Sequence, residues 1–242
     1  MQRNLKFQTS TLLWHLEIML LLITAGPACV ALDCVRTITN RATGQTGKDL
    51  ADYAASRGHQ VRLITSRFLE DNLSTSSILK IPFETSCELA VRFQEQIHNW
   101  QPDAIIHSAA VGDFHVDRIE DSLGKTINPS KLDSSNGPYL VRFIAAPKLL
   151  DKIKGLWGYN GVLIGFKLES GLSDPHLWEE ARKTCQRSGA DLMVANHLEN
   201  ASSIAWIGPD KSGIFNVCPR KFLAFELIHC IEFLVSNFSK KK

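Results

Sequence analysis

Ile18-Met19-Leu20-Leu21-Leu22-Ile23-Thr24 is the stretch on which the fold turns. Arg3 and Lys6 precede it and Ala28-Cys29-Val30-Ala31 follows it, which is the outline of a signal peptide with a small-residue cleavage site. His15 and Glu17 interrupt that outline, and the apolar run from Ile18 to Ile23 is shorter than a secretory core and far short of a membrane span. A buried strand fits it better. Further short apolar runs follow at Gln60–Thr65, Ala104–His107, Gly161–Phe166 and Asp191–Ala195, separated by amphipathic stretches at Gly47–Arg57, Ser86–Trp100, Pro147–Lys154 and Pro175–Arg187. Strand and helix in alternation predict a parallel sheet covered by helices, an α/β fold. The C-terminal part reads as a hairpin, Ile204–Ile207 and Ile214–Val217 around a turn at Gly208 to Gly213, and a closing helix from Arg220 to about Val235.

The organisation predicted is an N-terminal extension (1–17), one domain (18–237) and a basic tail (238–242). The segment from Ser108 to about Tyr139 shows no periodicity and is too long for an ordinary connection, so it is expected to be irregular, with a lid or flap over about 113–139.

A chain of 242 residues with 44% hydrophobic and 21% charged residues has enough apolar material for a core without staples. Against 27 Lys and Arg stand 25 Asp and Glu, and a formal charge of +2 is no field for holding a nucleic-acid backbone. Neither nucleic acid nor a membrane is an expected partner. The six cysteines include no C-x-x-C pair and no zinc-type spacing, so reduced thiols in a cytoplasmic protein without a resident metal are expected. Sequon-like tripeptides at Asn72, Asn200 and Asn237 carry no meaning in that compartment.

Ligands of open α/β sheets lie at the carboxyl ends of the strands. The first such loop runs for more than twenty residues and contains Gly44-Gln45-Thr46-Gly47-Lys48, which lacks both the Walker spacing and the G-x-G-x-x-G turn. Gly44 and Gly47 read equally as a tight turn opening a helix or as backbone facing an anion.

Six segments then occur in order: Ile23-Thr24-Ala25-Gly26-Pro27; Leu32-Asp33 through Arg36, Ile38-Thr39-Asn40 and Gly44 to Gly47; His107-Ser108-Ala109-Ala110-Val111-Gly112-Asp113-Phe114; Lys131-Leu132-Asp133-Ser134-Ser135; Gly165-Phe166-Lys167; and Asp191 to Val194-Ala195-Asn196. Together, over about Leu20 to Val235, the chain resembles phosphopantothenoylcysteine synthetase, the phosphopantothenate–cysteine ligase, in its stand-alone bacterial form. The resemblance implies a Rossmann-like, mostly parallel sheet with helices on both faces, and an enzyme of coenzyme A biosynthesis. In that reaction 4'-phosphopantothenate is activated by CTP as an acyl-cytidylate, with ATP as the alternative nucleotide, pyrophosphate leaves, and L-cysteine displaces CMP. Mg²⁺ is expected with the nucleotide, and a homodimer is usual in the family.

Carried over residue by residue, the resemblance places Arg36, Asn40, Gly44 and Ala110 at the acyl substrate. It places His107, Ser108, Ala109, Asp113, Lys131, Pro147, Lys148, Leu149, Leu150, Phe166, Lys183 and Arg187 at the nucleotide, with Asn40 and Lys131 catalytic. An uncharged amide suits a developing oxyanion, and a mobile ammonium suits departing pyrophosphate. Lys183 and Arg187 are spaced to share one helix face. Each also has a plain reading: Asn40 as a turn cap, Arg36 and Lys131 as solvated surface, Asp113 as a loop cap, Phe166 as core, and Lys183 with Arg187 as a solvated pair. Ala28 and Val30 replace the polar residues common in the family's first loop. That departure keeps open a degenerate, non-catalytic binding module. An NAD(P)-dependent short-chain reductase is the other rival, but Tyr53, Tyr139 and Tyr159 all lack a Lys four residues on.

Overall fold

The computed structural model describes residues 17–67, 77–128 and 130–239. Arg3, Lys6, His15 and nearly all of the expected extension lie outside the described residues, as do the Asn72 tripeptide and the last three residues of the tail.

In chain order the elements are β1 (Leu20–Ala25), β2 (Cys29–Ala31), β3 (Thr37–Thr39), α1 (Gln45–Ser56), β4 (Gln60–Ser66), β5 (Leu79–Phe83) and α2 (Ser86–Asn99). Then come β6 (Ala104–His107), β7 (Phe114–Glu120), β8 (Thr126–Ile127), β9 (Leu140–Ala145) and α3 (Leu149–Gly155). The chain continues through β10 (Val162–Glu169), α4 (Asp174–Ser188), β11 (Leu192–His197), β12 (Ile204–Gly208), β13 (Asn216–Pro219) and α5 (Leu223–Ser239). Eight strands form the main sheet in the order β13-β12-β11-β10-β6-β1-β4-β5. The six from β5 to β11 pair in parallel, and β12 and β13 close the edge antiparallel. Numbered among themselves, the parallel strands run 3-2-1-4-5-6, the doubly wound order with its switch point between β1 and β6. The Rossmann-like class, the C-terminal hairpin and the closing helix are as expected from the sequence.

Alternation along each strand divides the core. Leu21, Ile23, Ala104, Ile106, Val162, Ile164 and Val194 face α1 and α5, packing on Leu50, Ala54, Leu227 and Ile231. Their neighbours Leu22, Ile105, Leu163 and Met193 face α2, α3 and α4, packing on Leu89, Phe93, Ile153 and Leu177. With both faces covered, the strands read as continuous apolar runs, and a one-residue slip would exchange the two core sets. The helices start where local chemistry allows it. The Thr85 hydroxyl caps α2 by accepting from the Glu88 N–H at 3.2 Å, while the Glu88 carboxylate reaches back to the Glu84 N–H at 2.9 Å. Pro175 sits in the first turn of α4, and Gly189 ends it with φ at 69°.

Three elements depart from the sequence reading. The edge strand β5 was not expected, because Pro82 removes a ladder donor and only Phe83 of its five residues is buried. The hairpin of β2 and β3 is too short, at three residues a strand, to show a period. The stretch expected to be irregular contains most of a second sheet, β8-β7-β9, all antiparallel. A register shift between Val116 and Arg118 breaks its alternation, so the pattern in the sequence is lost where the bulge falls.

One approach fixes the ligand edge of the sheet. A Cβ built on Gly47 would lie 2.6 Å from the Ala25 Cβ and 2.9 Å from both the Thr24 carbonyl oxygen and the Ser108 Oγ. Gly47→Ala therefore forces the first turn of α1 off the end of β1, at a cost of about 1–3 kcal/mol. Gly155→Ala meets nothing within 4 Å and serves as the control. Urea midpoints are expected to fall for the first variant and to hold or rise slightly for the second, where alanine favours the end of α3.

Candidate functional site

A cleft of about 460 Å³ crosses the carboxyl edge of the sheet at the switch point. Its floor is the turn after β6. The Thr24 hydroxyl, wholly buried, accepts from the Ala109 N–H at 3.0 Å and pairs with His107 Nδ1 at 2.9 Å, while the Ser108 hydroxyl donates to the Thr24 carbonyl at 2.5 Å. Backbone bonds extend the join: Ala28 N–H donates to the Ala110 carbonyl, and Ala110 N–H to the Gly26 carbonyl, each at 3.0 Å. The loops after β1 and β6 are thus fastened to one another. Burial pushes the His107 imidazole down to about 4, and Phe93 meets the ring edge-on at 5.1 Å. The ring is neutral at physiological pH and acts as a hydrogen-bonded wall.

The cleft gathers most of the residues expected from the sequence. Asn40, His107, Ser108, Ala109, Ala110, Asp113, Pro147, Lys148, Leu149, Leu150, Phe166 and Arg187 all line it. Asn40 is exposed on the loop after β3, and its side-chain amide makes no hydrogen bond among the described residues. Leu149 and Leu150 are anchored in the core at the start of α3, which leaves the Pro147-Lys148 corner at the rim. Lys148 is bonded to Asp113, whose carbonyl also receives the Ala146 N–H at 2.8 Å.

Four expected residues lie outside the lining. Gly44 opens α1 with φ at 69°, a conformation glycine adopts without steric cost, and it stands just before the lining residue Thr46. Lys183 lies outside the lining and pairs with Glu180 at 2.8 Å, 58% exposed; only Arg187 of the expected pair reaches the cleft, bonded to Asp151 at 2.7 Å. Arg36 and Lys131, distant in sequence, are brought together by Asp33. Its carboxylate accepts from the backbone N–H groups of Val35, Arg36 and Leu132 at 2.7–3.0 Å and from the Arg36 guanidinium at 2.6 Å, and the Arg36 Nη1 also donates to the Leu132 carbonyl. These bonds, those to the backbone first, hold the Asp33 carboxyl well below the ordinary range. Lys131 itself is exposed beside this clamp.

Sequence reasoning missed Thr46, Lys167, Asn196 and Arg220 in the wall. Thr46 and Lys167 lay inside quoted segments without any individual signal. Arg220 comes from a stretch read only as the start of the closing helix. With it, four basic side chains (Lys148, Lys167, Arg187 and Arg220) line the cleft against one carboxylate, Asp113. That balance suits a polyanion. Among the described residues no cluster of three or more His, Cys, Asp or Glu is placed to hold a metal, and no helix is long and apolar enough to cross a membrane.

Fold and site together define a doubly wound α/β protein with an anion-suited cleft at its switch point. The chain belongs to the family described as the DNA/pantothenate metabolism flavoprotein C-terminal domain, whose model matches residues 16–212. The family expected from the six ordered segments is thereby shown. The coenzyme A biosynthesis bifunctional protein CoaBC of Thermococcus kodakarensis is 34% identical over 179 residues, covering 74% of this chain and 41% of that protein. Its Escherichia coli counterpart is 28% identical over 243 residues, covering 94% of this chain and 53% of that one. The chain therefore spans about half or less of the curated relatives it matches. The crystal structure of a DNA/pantothenate metabolism flavoprotein from Streptococcus pneumoniae superposes with a TM-score of 0.78 at 26% identity, covering 88% of this chain and 98% of that one.

Because the folded-state value of His107 lies below its ordinary 6.5, the unfolded chain binds the proton more readily. The stability contributed by the neutral ring is complete above pH 6.5 and is lost as pH falls toward 4, about 3 kcal/mol in all. Urea denaturation of the wild type between pH 7.5 and 4.5 is expected to show this slope. In His107→Asn, which keeps a polar partner for Thr24 but cannot titrate, the slope should flatten, and an unchanged slope would assign it to other groups.

Proposed function

We propose that the chain is a phosphopantothenate–cysteine ligase working in the cytoplasm. The carboxylate of 4'-phosphopantothenate attacks the α-phosphate of CTP, with ATP as the alternative nucleotide, and pyrophosphate leaves. The amine of L-cysteine then displaces CMP from the acyl-cytidylate to give 4'-phosphopantothenoylcysteine. The observation that carries this reading is the cleft itself. It unites Asn40, His107, Asp113, Lys148, Phe166 and Arg187 from five separate stretches of chain under a net positive lining, in a family whose relatives are named for coenzyme A biosynthesis.

An unactivated carboxylate is a poor acyl donor, so the site must bring two anions together and then stabilise an oxyanion. The basic side chains answer the first need. The unengaged amide of Asn40 answers the second, donating without adding charge. Lys131, exposed and carried by the segment that Asp33 holds beside the first loop, has the freedom to follow charge onto pyrophosphate. Mg²⁺ enters with the triphosphate. The lining offers it one carboxylate, already bonded to Lys148, which suits an ion that keeps its phosphate and water ligands. A homodimer completes the proposal.

The test is pyrophosphate release with phosphopantothenate, cysteine and each nucleotide in turn. Release that requires phosphopantothenate and is faster with CTP is the expected result. Ligand binding without release from either nucleotide would make the chain a binding module, and failure to bind any of them would overturn the reading.

The two basic positions of α4 are expected to separate. Arg187→Ala should raise the nucleotide KM tenfold to a hundredfold, since charge-assisted phosphate contacts contribute roughly 1.5–3 kcal/mol. Lys183→Ala, which removes a side chain outside the cleft, should change it less than about twofold. Cysteine KM should stay unchanged in both.

A further inference from the structure

Arg220 differs from the other cations of the cleft in what it touches. Lys148 is bonded to Asp113, Lys167 to Glu169 at 2.7 Å and Arg187 to Asp151 at 2.7 Å. Arg220 is half-buried directly after β13, and its guanidinium meets neutral oxygens: Nη1 donates to the Asn196 Oδ1 at 3.3 Å, and Nη2 to the Thr46 hydroxyl. Among the described residues no carboxylate lies within salt-bridge distance of it, and Asp49 acts on it only through space. Its backbone is fixed as well, the Arg220 N–H donating to the Ser203 carbonyl at 2.8 Å.

A guanidinium carries five N–H donors and stays charged even where burial disfavours it. Two neutral acceptors leave donors over, and a half-buried cation with no carboxylate in contact gains from an anion that joins it. Asn196 and Thr46 approach from different elements, the end of β11 and the first turn of α1, and both line the same cleft. They hold the fork from two sides while leaving it in the cleft wall. A guanidinium held in place by neutral groups is matched to a phosphate, which it can bind through paired hydrogen bonds.

We infer that Arg220 contacts a phosphate group of one of the two phosphorylated substrates, the nucleoside triphosphate or 4'-phosphopantothenate, with Thr46 and Asn196 as positioning residues that set its fork. This rests on the ligase reading above. It adds to the reaction a residue that lies beyond the matched span 16–212.

Calorimetry on Arg220→Gln and Arg220→Lys tests it, with CTP, ATP, 4'-phosphopantothenate and the phosphate-free controls cytidine and pantothenate. Arg220→Gln is expected to weaken binding of one phosphorylated ligand about tenfold to a hundredfold and to leave the other within about threefold. The phosphate-free controls should not change, and Arg220→Lys should recover part of the loss by restoring charge without the fork. Which ligand suffers identifies the source of the phosphate.

Unchanged affinity for both phosphorylated ligands in Arg220→Gln overturns the inference. So does an equal loss for phosphorylated and phosphate-free ligands, which would mark Arg220 as a clamp that only holds the chain end on α1 and β11. If Arg220→Gln does not fold, the wild type carries the test. A dicarbonyl reagent that modifies arginine is applied with and without each ligand, and the Arg220 peptide is quantified by mass spectrometry. Protection by a phosphorylated ligand and not by its phosphate-free counterpart supports the contact, and equal modification in all samples overturns it. If the wild type binds none of the ligands, the ligase reading fails first, an outcome distinct from loss in the variant alone.

Discussion

Thr24 is the point at which three elements of the molecule, β1, the end of β6 and the start of α1, meet without slack. Its backbone carbonyl receives the Ser108 hydroxyl and lies 2.9 Å from where a side chain on Gly47 would begin, while its own hydroxyl binds both His107 and the Ala109 N–H. Hydrogen bonding on one side and van der Waals contact on the other leave the first turn of α1 and the turn after β6 no independent freedom. The cleft forms between them. Its depth follows from the absence of a side chain at Gly47, since any Cβ there would lift α1 and open the floor.

The polar side of the same edge is arranged so that charge is available yet compensated. A cleft lined by cations must hold them together before any anion arrives, and uncompensated like charges at close range would oppose folding. Ion pairs at Lys148, Lys167 and Arg187 lower that repulsion, and all three cations remain in the wall. At these exposures each pair contributes little stability, so an anionic ligand can compete for the cation at small cost. Asp33 works differently. Its carboxylate is enclosed and saturated by backbone N–H groups, and it acts as a fastening between the first loop and the segment that carries Lys131.

How much of this was legible in the sequence follows from which interactions leave a period. The core strands are buried on both faces, so β1, β4, β6, β10 and β11 stand out as apolar runs, and the helices between them show their stripes. The second sheet does not, because a bulge at Asp117 interrupts the alternation of β7 and its partner β9 has five of six residues exposed. At the site, Asn40, His107 and Asp113 were found because they sit in ordered segments. Gly47 was ambiguous, since a glycine required for close packing looks the same in sequence as one that cradles an anion. Lys183 and Arg187 share a helix face by spacing, but spacing does not say how far round the cylinder the cleft extends, and it stops between them. The role of Asp33 depends on Leu132, 99 residues away, and no local pattern can encode that distance.

The antiparallel edge explains why the last part of the chain belongs to the site at all. Six parallel strands with their crossovers would end at β11 with an exposed ladder. Pairing β12 and β13 antiparallel covers that ladder with a short edge strand ending in Pro219 and turns the chain back, so that Pro219 pairs with Ile204 and α5 crosses to pack on α1. Leu223, Leu227, Ile228 and Ile231 then seal the face of the sheet that α1 alone leaves open. Because α5 must begin close to the end of β13 and lie against α1, the short turn between them, Arg220–Phe222, starts beside the first turn of α1 and the end of β11. Arg220 occupies that place. The requirement to protect a sheet edge and complete a core thus determines where a cation from the far end of the chain enters the cleft.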